Sequence, residues 1–207
     1  SGGQPLPLKG GGAVGAGIGG GSLGCIAAVD GNFDRSISLP FGAVRLTELY
    51  PSEPDDIRHQ LKTLRAYVRR QLRRRLPLRD WAAPTVIGSG GTFTNLGRMA
   101  VSRRGGPAAE AVHGVSVSVG EVEQLLEWLA SLPPAKRAQV PGLNPQRAAI
   151  IIAGLAVTAE VLERIEASEM KVSAFGVRAG LTLDMSGAEP TPASQDPLRL
   201  APASDQR

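Results

Sequence analysis

One cysteine, two histidines, two tryptophans and an aromatic content of 4% are all this 207-residue chain holds of the residue types that most often announce a function. The lone Cys25 excludes an internal disulfide and any cysteine metal cluster, and it fits a reducing compartment. His59 and His113 stand apart, with no Cys or His neighbour at ligand spacing, which argues against a zinc site. No stretch approaches the roughly 18 apolar residues of a membrane span. The amino-terminal segment carries one lysine and many glycines, not the charged and apolar blocks of a signal peptide. A soluble, cytoplasmic protein without a membrane partner is the expectation. Residues 1–16 also contain no Asp or Glu, so no carboxylate precedes the first glycine cluster.

What is present is aliphatic and basic. A hydrophobic content of 42% supports a core built from Ala, Val, Leu and Ile, enough for one domain or one large lobe. The net charge of +4 and the pI near 9.7 point toward polyanionic partners. Basic residues peak in "RRQLRRRLPLR" (69–79). Such a run reads either as a solvated helix face or as a route along which a long polyanion is guided. The second reading requires Arg69, Arg73 and Arg74 to share one surface with the glycine loops.

Glycine is where the chain is most unusual. "AVGAGIGGGSLG" (13–24) has six glycines in twelve positions. Gly15, Gly17 and Gly20 match the dinucleotide pattern G-x-G-x-x-G, but a dinucleotide loop must run directly into a helix whose start holds the pyrophosphate. Here the glycines run into strand-like "CIAAVDGNFDRSISL", whose Asp30-Gly31 pair favours a tight hairpin. The alternative is a turn between two strands. Gly19, Gly20 and Gly21 would point successive amides at one oxygen cluster, and Ser22 would add a hydroxyl. A glycine-rich hairpin with no ligand is the plain structural reading of the same residues.

Further along, Ile57, Leu61, Leu64, Val68, Leu72 and Leu76 recur at three and four, predicting a helix over 53–76 that Pro77 ends. Residues 84–100 read as a buried strand, a second glycine loop and a helix start with Thr94 near the cap. Residues 111–119 alternate as a strand, and Ser118 with Glu121 forms a capping box for the helix that Pro133-Pro134 stops. Asn144 and Pro145 mark the start of a helix reaching about Ala167. Residues 170–183 predict a strand, a glycine turn and a short helix. Residues 1–12 read as flexible and 185–207 as a disordered, Pro-rich tail. No internal repeat is visible.

Taken in order, "GIGGGS" (17–22), "SISLPFGAVRLTE" (36–48), "GSGGTFTNLGRMA" (88–100), "VHG" (112–114), "PGLNPQRAAIIIAG" (141–154) and "VSAFGVRAGL" (172–181) resemble the exopolyphosphatase and guanosine-pentaphosphate phosphohydrolase family. The resemblance runs from about Val14 to Asp184. It implies an α/β fold, an actin-like (ribonuclease H-like) lobe with a mixed sheet, a glycine-loop hairpin and flanking helices. Residues 13–184 would be the second of the family's two lobes, working with a missing first lobe or as a homodimer. The substrates implied are inorganic polyphosphate or guanosine polyphosphates, and the implied cofactor is Mg²⁺. Phosphate contacts would fall on Gly19, Gly20, Gly21 and Ser22, on Gly90, Gly91 and Thr92, and on Arg178. Gly90, Gly91 and Thr92 read equally as a tight strand-to-helix turn, and a lone arginine such as Arg178 as a surface ion-pair partner. Arg147 reads as structural.

The family's loop has an Asp and a Glu that serve Mg²⁺ and the attacking water, and Gly17 and Gly24 occupy those positions here. A general base expected shortly upstream is absent as well. Phosphoanhydride hydrolysis needs a cation for developing charge and a group to orient water, so a poor or inactive catalyst is expected. Three readings stay open: a hydrolase-family lobe, a non-catalytic polyphosphate or alarmone module, and a basic nucleic-acid or partner-binding domain. The lack of aromatics among residues 69–79 weighs against single-strand nucleic-acid binding.

Overall fold

Apolar residues alternating with small ones build the first strands. β1 (Ala13–Ile18) turns Val14, Ala16 and Ile18 into the core, and β2 (Leu23–Val29) does the same with Leu23, Cys25 and Ala27. β3 (Asn32–Leu39) follows through a hairpin in which Asp30 takes a φ of 51°, the left-handed value its turn requires. The structure is a computed structural model that describes residues 12–30, 32–51, 56–83, 85–107 and 112–175. Arg178, Gly31, the tail and all but Gly12 of the amino-terminal segment lie outside these. The chain divides into a unit over Ser1–Ala174 and another over Phe175–Arg207, and every described element belongs to the first.

After β3 come α1 (Ala43–Leu49), α2 (Ile57–Arg75), α3 (Leu78–Trp81), β4 (Thr85–Ser89), α4 (Gly91–Arg103), β5 (Ser116–Ser118), α5 (Val119–Ser131), α6 (Pro134–Arg137), a 3-10 turn over Pro145–Arg147, α7 (Ile151–Ile165) and β6 (Glu169–Ser173). The sheet runs β3-β2-β1-β4-β6-β5. β1, β4 and β6 are parallel, and β2, β3 and β5 run against their neighbours. Helices cover one face: Phe93 of α4 packs at Gly88, and Val172 of β6 lies within contact range of Gly97. The other face is more open, with Ile26 and Ile87 in one cross-strand row through Gly15.

α7 is the centre of the helical layer. Thirteen of its fifteen residues are buried, and α1, α2, α4 and α5 all pack on it. A helix apolar all round is a core helix, so α2 and α5 need only one apolar stripe each. The one charge in α7's buried stretch, Glu160, accepts from Nε of Arg65 at 2.7 Å and Nε of Arg69 at 2.8 Å. Arg65 also forks onto Glu123 of α5 at 2.7 and 2.6 Å. A buried carboxylate is tolerated when paired in this way.

Several elements depart from the expectation. α4 begins at Gly91, not at Thr94; Thr94 sits a turn inside and returns its hydroxyl to the Gly91 carbonyl at 3.3 Å. Asn144 caps only the 3-10 turn, accepting from the Gln146 amide, and α7 starts later at Ile151. β5 keeps only Ser116–Ser118 of the longer strand expected, because residues 113–114 turn and Gly114 takes a φ of 81°. α1 was not foreseen; it opens at Gly42, an extended N-cap without a side-chain bond. Cys25 is fully buried, and burial alone pushes its thiol up to about 12, so it behaves as a small apolar residue.

The capping box of α5 is present in both directions: the Glu121 amide donates to Ser118 Oγ, and the Ser118 amide donates to the Glu121 carboxylate. Burial works to raise the Glu121 carboxyl, but bonds from the Ser118 amide, from Arg104 and from the Ser118 hydroxyl hold it below its ordinary 4.5. A depressed folded value means that stability is present above the unfolded value and drains as the pH falls through the folded one. Urea unfolding should therefore show Glu121→Gln losing less stability than the parent chain between about pH 5 and 3, and Ser118→Ala costing about 1 kcal/mol at neutral pH.

Candidate functional site

Three parallel strands end at one edge of the sheet, and both glycine loops sit there. Gly17, Ser89 and Ser173 form a cross-strand row at the ends of β1, β4 and β6. In open α/β sheets this is the edge where ligands bind. The loop Gly19–Ser22 closes the β1–β2 hairpin, and all four residues are exposed. Gly90 follows β4 at a φ of 97°, which only glycine takes without strain, and a side chain there would touch the Ile18 carbonyl. The two loops therefore lie side by side.

The first loop is fixed by its carbonyls. The Ala43 amide donates to the Gly19 carbonyl at 2.9 Å, and the Arg45 amide donates to the Gly20 carbonyl at 3.1 Å. In a trans peptide the N–H points opposite to the C=O. Holding those two carbonyls against α1 thus turns the Gly20 and Gly21 amides away from it, toward solvent. Neither amide finds an acceptor among the described residues, whereas the Gly19 amide is spent on the Ser22 carbonyl at 2.9 Å. Gly42 is what lets α1 come so close, since a Cβ there would collide with the Gly20 and Gly21 backbone.

The second loop opens α4, a helix of 13 residues with no side-chain cap. Its first intrahelical bond is from the Thr94 amide to the Gly90 carbonyl at 3.0 Å, which leaves the Gly91, Thr92 and Phe93 amides unused within the helix. Thr92 itself is buried at 2% exposure, with its side chain packed where a Cβ on Gly154 of α7 would collide with it. The Thr92 amide is one of the three left unused at the helix start.

Arg147, read from the sequence as structural, lies on this loop. A Cβ on Gly91 would collide with its guanidinium. Its place is set by backbone packing: a Cβ on Gly142 would collide with the backbone of Arg98 and Met99, so the 141–144 segment lies hard against α4. Asn95 of α4 then donates to the Gly91 carbonyl at 2.7 Å and accepts the Asn144 amide at 2.6 Å. The half-buried guanidinium has no carboxylate partner among the described residues. No local pattern could have revealed it, because the signal is a glycine 56 positions upstream.

Arg178 lies outside the described residues, so Gly19–Ser22, Gly90, Gly91 and Thr92 are the expected site residues that the structure brings together. The arginine run does not join them. Arg69 is turned onto Glu160 and Glu163. Arg164, in the last turn of α7, donates to the Leu76 carbonyl at 2.7 Å, which places the end of α2 at the edge where β4 and β6 begin. Arg73 and Arg74 therefore sit at the opposite end of the domain from the glycine loops, and the guided-polyanion reading loses the shared surface it required.

Gly17 and Gly24 are direct cross-strand partners at the mouth of the first loop. Side chains on such a pair stand about 5 Å apart, so two carboxylates here would face each other. Among the described residues no three His, Cys, Asp or Glu side chains come together to hold a metal ion. The residues present do not fit Mg²⁺. What they offer an anion is amides, one helix start and one arginine.

This arrangement, a mixed sheet flanked by helices with paired glycine loops at the strand ends, is an actin-like α/β fold. Its sequence matches the Ppx/GppA phosphatase family over residues 7–189, and the chain belongs to that family. An uncharacterized protein of Streptomyces coelicolor is 33% identical over 213 residues, covering 91% of this chain and 60% of its own length. Exopolyphosphatase 1 of Mycobacterium leprae is 29% identical over 186 residues, covering 80% of this chain and 49% of its own. A crystal structure of the Aquifex aeolicus Ppx/GppA family member superposes with a TM-score of 0.76 at 23% identity, over 87% of this chain and 58% of that one. An exopolyphosphatase from Cytophaga hutchinsonii gives 0.70 at 20% identity, over 89% and 60%. The chain thus spans about half to three-fifths of the length of these relatives. No described helix is long and apolar enough to cross a membrane.

Gly42→Ala tests the lock on the first loop. The added methyl must push Gly20 and Gly21 aside, and overpacking of this kind costs about 1–3 kcal/mol. Amide hydrogen exchange should quicken at Ala43 and Arg45, whose bonds hold the loop, and stay as before in α5. Unchanged exchange at those two amides would mean that the lock is not Gly42.

Proposed function

We propose that this chain is the second lobe of an exopolyphosphatase-like protein, binding the phosphate chain of inorganic polyphosphate or a guanosine polyphosphate and poorly equipped to hydrolyse it. The observation that carries the reading is the pair of unspent amides at Gly20 and Gly21, beside an α4 start covered by Arg147 and with no carboxylate across the Gly17–Gly24 pair. Gly19, Gly20, Gly21 and Ser22 would take one phosphate. Gly90, Gly91 and the Thr92 amide would take the next, with Arg147 and, by resemblance, Arg178 supplying positive charge. Phosphoryl transfer asks for charge neutralisation at the leaving oxygen and an oriented water. Amides and arginines contribute to the first, and no carboxylate among the described residues stands at the glycine loops to contribute to the second. A first lobe, from the same protein or another copy, would have to bring the base. The buried thiol suits a cytoplasmic setting.

Calorimetry with tripolyphosphate and a phosphate-release assay test this directly. Binding should be the same in EDTA as in millimolar Mg²⁺. Release should fall on the order of 100-fold or more below an intact family member, the loss usual when a single electrostatic catalytic group is removed. Turnover at about 10 per second, an ordinary enzyme rate, that depends on metal and survives repurification would overturn the proposal. Arg147→Ala should weaken binding about tenfold, as expected for losing one charge-assisted contact, with little change in melting temperature.

The glycine pair gives a constructive test. A Cβ on Gly24 meets nothing within 4 Å, and one on Gly17 meets Ser89 no closer than 3.7 Å. Gly17→Asp with Gly24→Glu should therefore fold, and should make tripolyphosphate binding respond to Mg²⁺ where the parent chain does not. A double variant indifferent to Mg²⁺ would refute the assignment of these positions.

A further inference from the structure

α2 and α5 both rest on α7 and are bridged by the Arg65–Glu123 pair, and on their outer sides they form the walls of a groove of about 950 Å³. The α2 wall presents Arg58, Leu61, Lys62 and Ala66, and the opposite wall presents Trp128 with Arg103 of α4. Leu61 belongs to the stripe that packs on the core with Leu64, Val68 and Leu72, and its half-buried side chain reaches the groove at one flank, while Ala66 is exposed on the other. The spacing repeats on both walls. Arg58 and Arg65, Lys62 and Arg69, and Gln124 and Ser131 are each seven apart and all line the groove. Residues seven apart lie on one face of a helix, so the groove runs along the axes of α2 and α5.

Charge selects the occupant. Arg65 and Arg69 are neutralised by Glu123, Glu160 and Glu163. Arg58 and Lys62 make no ion pair among the described residues, and Arg103 lies 5.3 Å over the Trp128 ring, also without a carboxylate. Among the described residues, Glu127 is the one acidic side chain lining the groove. A lining that mixes Leu61, Ala66 and Trp128 with cations that have no carboxylate partner is complementary to an amphipathic helix with acidic flanks. We propose that this groove docks such a helix from a protein partner. The proposal is independent of the phosphate-binding reading, since the groove's residues take no part in the glycine loops.

The test uses the full chain and two fluorescent 16-residue helical peptides. They share one heptad leucine stripe and carry either glutamate or lysine on its flanks. Fluorescence anisotropy should show the glutamate peptide binding at least about tenfold tighter than the lysine peptide, with affinity falling between about 50 and 300 mM NaCl. Arg58→Glu with Lys62→Glu should reverse the preference. Ala66→Glu, at an exposed position, should abolish binding while the circular-dichroism melt stays cooperative. Equal affinity for the two peptides, no binding of either up to about 1 mM, or full retention in the double variant would overturn the proposal. So would a 16-nucleotide single-stranded DNA bound more tightly through the same residues, which would mark the groove as a nucleic-acid site.

Discussion

Two hydrogen bonds from the start of α1 to the carbonyls of Gly19 and Gly20 determine what the first loop can do. A four-residue glycine turn left to itself samples many conformations. Pinned by its carbonyls, it has its intervening amides facing outward, and their direction is a consequence of peptide planarity and not of any side chain. Gly42 makes the approach possible, Gly90 takes the left-handed φ that turns the second loop, and Gly91 leaves room for Arg147. Gly42 and Gly91 are explained by what lies against them, and Gly90 by its backbone. An anion site of the proposed kind would need almost no functional side chains, in keeping with a chain so bare of them.

The frame that holds the loops is organised around α7. Its all-round burial lets α1, α2, α4 and α5 pack on a common axis, and Gly154 seats the first turn of α4 through Thr92. Glu160 then ties that axis to α2 through two arginines, and Arg65 continues the tie to α5. The basic run that dominates the charge pattern is therefore partly internal structure. Arg69, its first residue, joins Arg65 in holding the helices together, and Arg73 and Arg74 lie at the far end from the loops.

Much of this was legible in the chain. Asp30-Gly31 marked the β2–β3 hairpin, the Ser118–Glu121 box marked α5, and the three-and-four spacing from Ile57 to Leu76 marked α2, because each rests on short-range geometry. The six family motifs in order marked the actin-like fold. The misses have physical causes too. Thr94 signals a cap, yet α4 begins three residues earlier at Gly91 with no side-chain cap, because Gly90 supplies the turn through its backbone alone. Asn144 and Pro145 signal a helix start truthfully, but the signal is local and does not say that the turn will break before Ile151. Arg147 was invisible as a site residue because its partner is the absence of a side chain far away in sequence.

Gly17 and Gly24 are held in ordinary extended strands, with room beside them for larger residues. Glycine inside a strand is mildly unfavourable, by about 0.5–1 kcal/mol relative to alanine. Nothing in the folding of this domain therefore asks for glycine at either place, and stability alone would select against it. On the proposed reading, the positions that would carry hydrolysis are decoupled from the positions on which the fold turns, and a chain of this kind can drift between catalyst and receptor by single-codon changes without renegotiating its core.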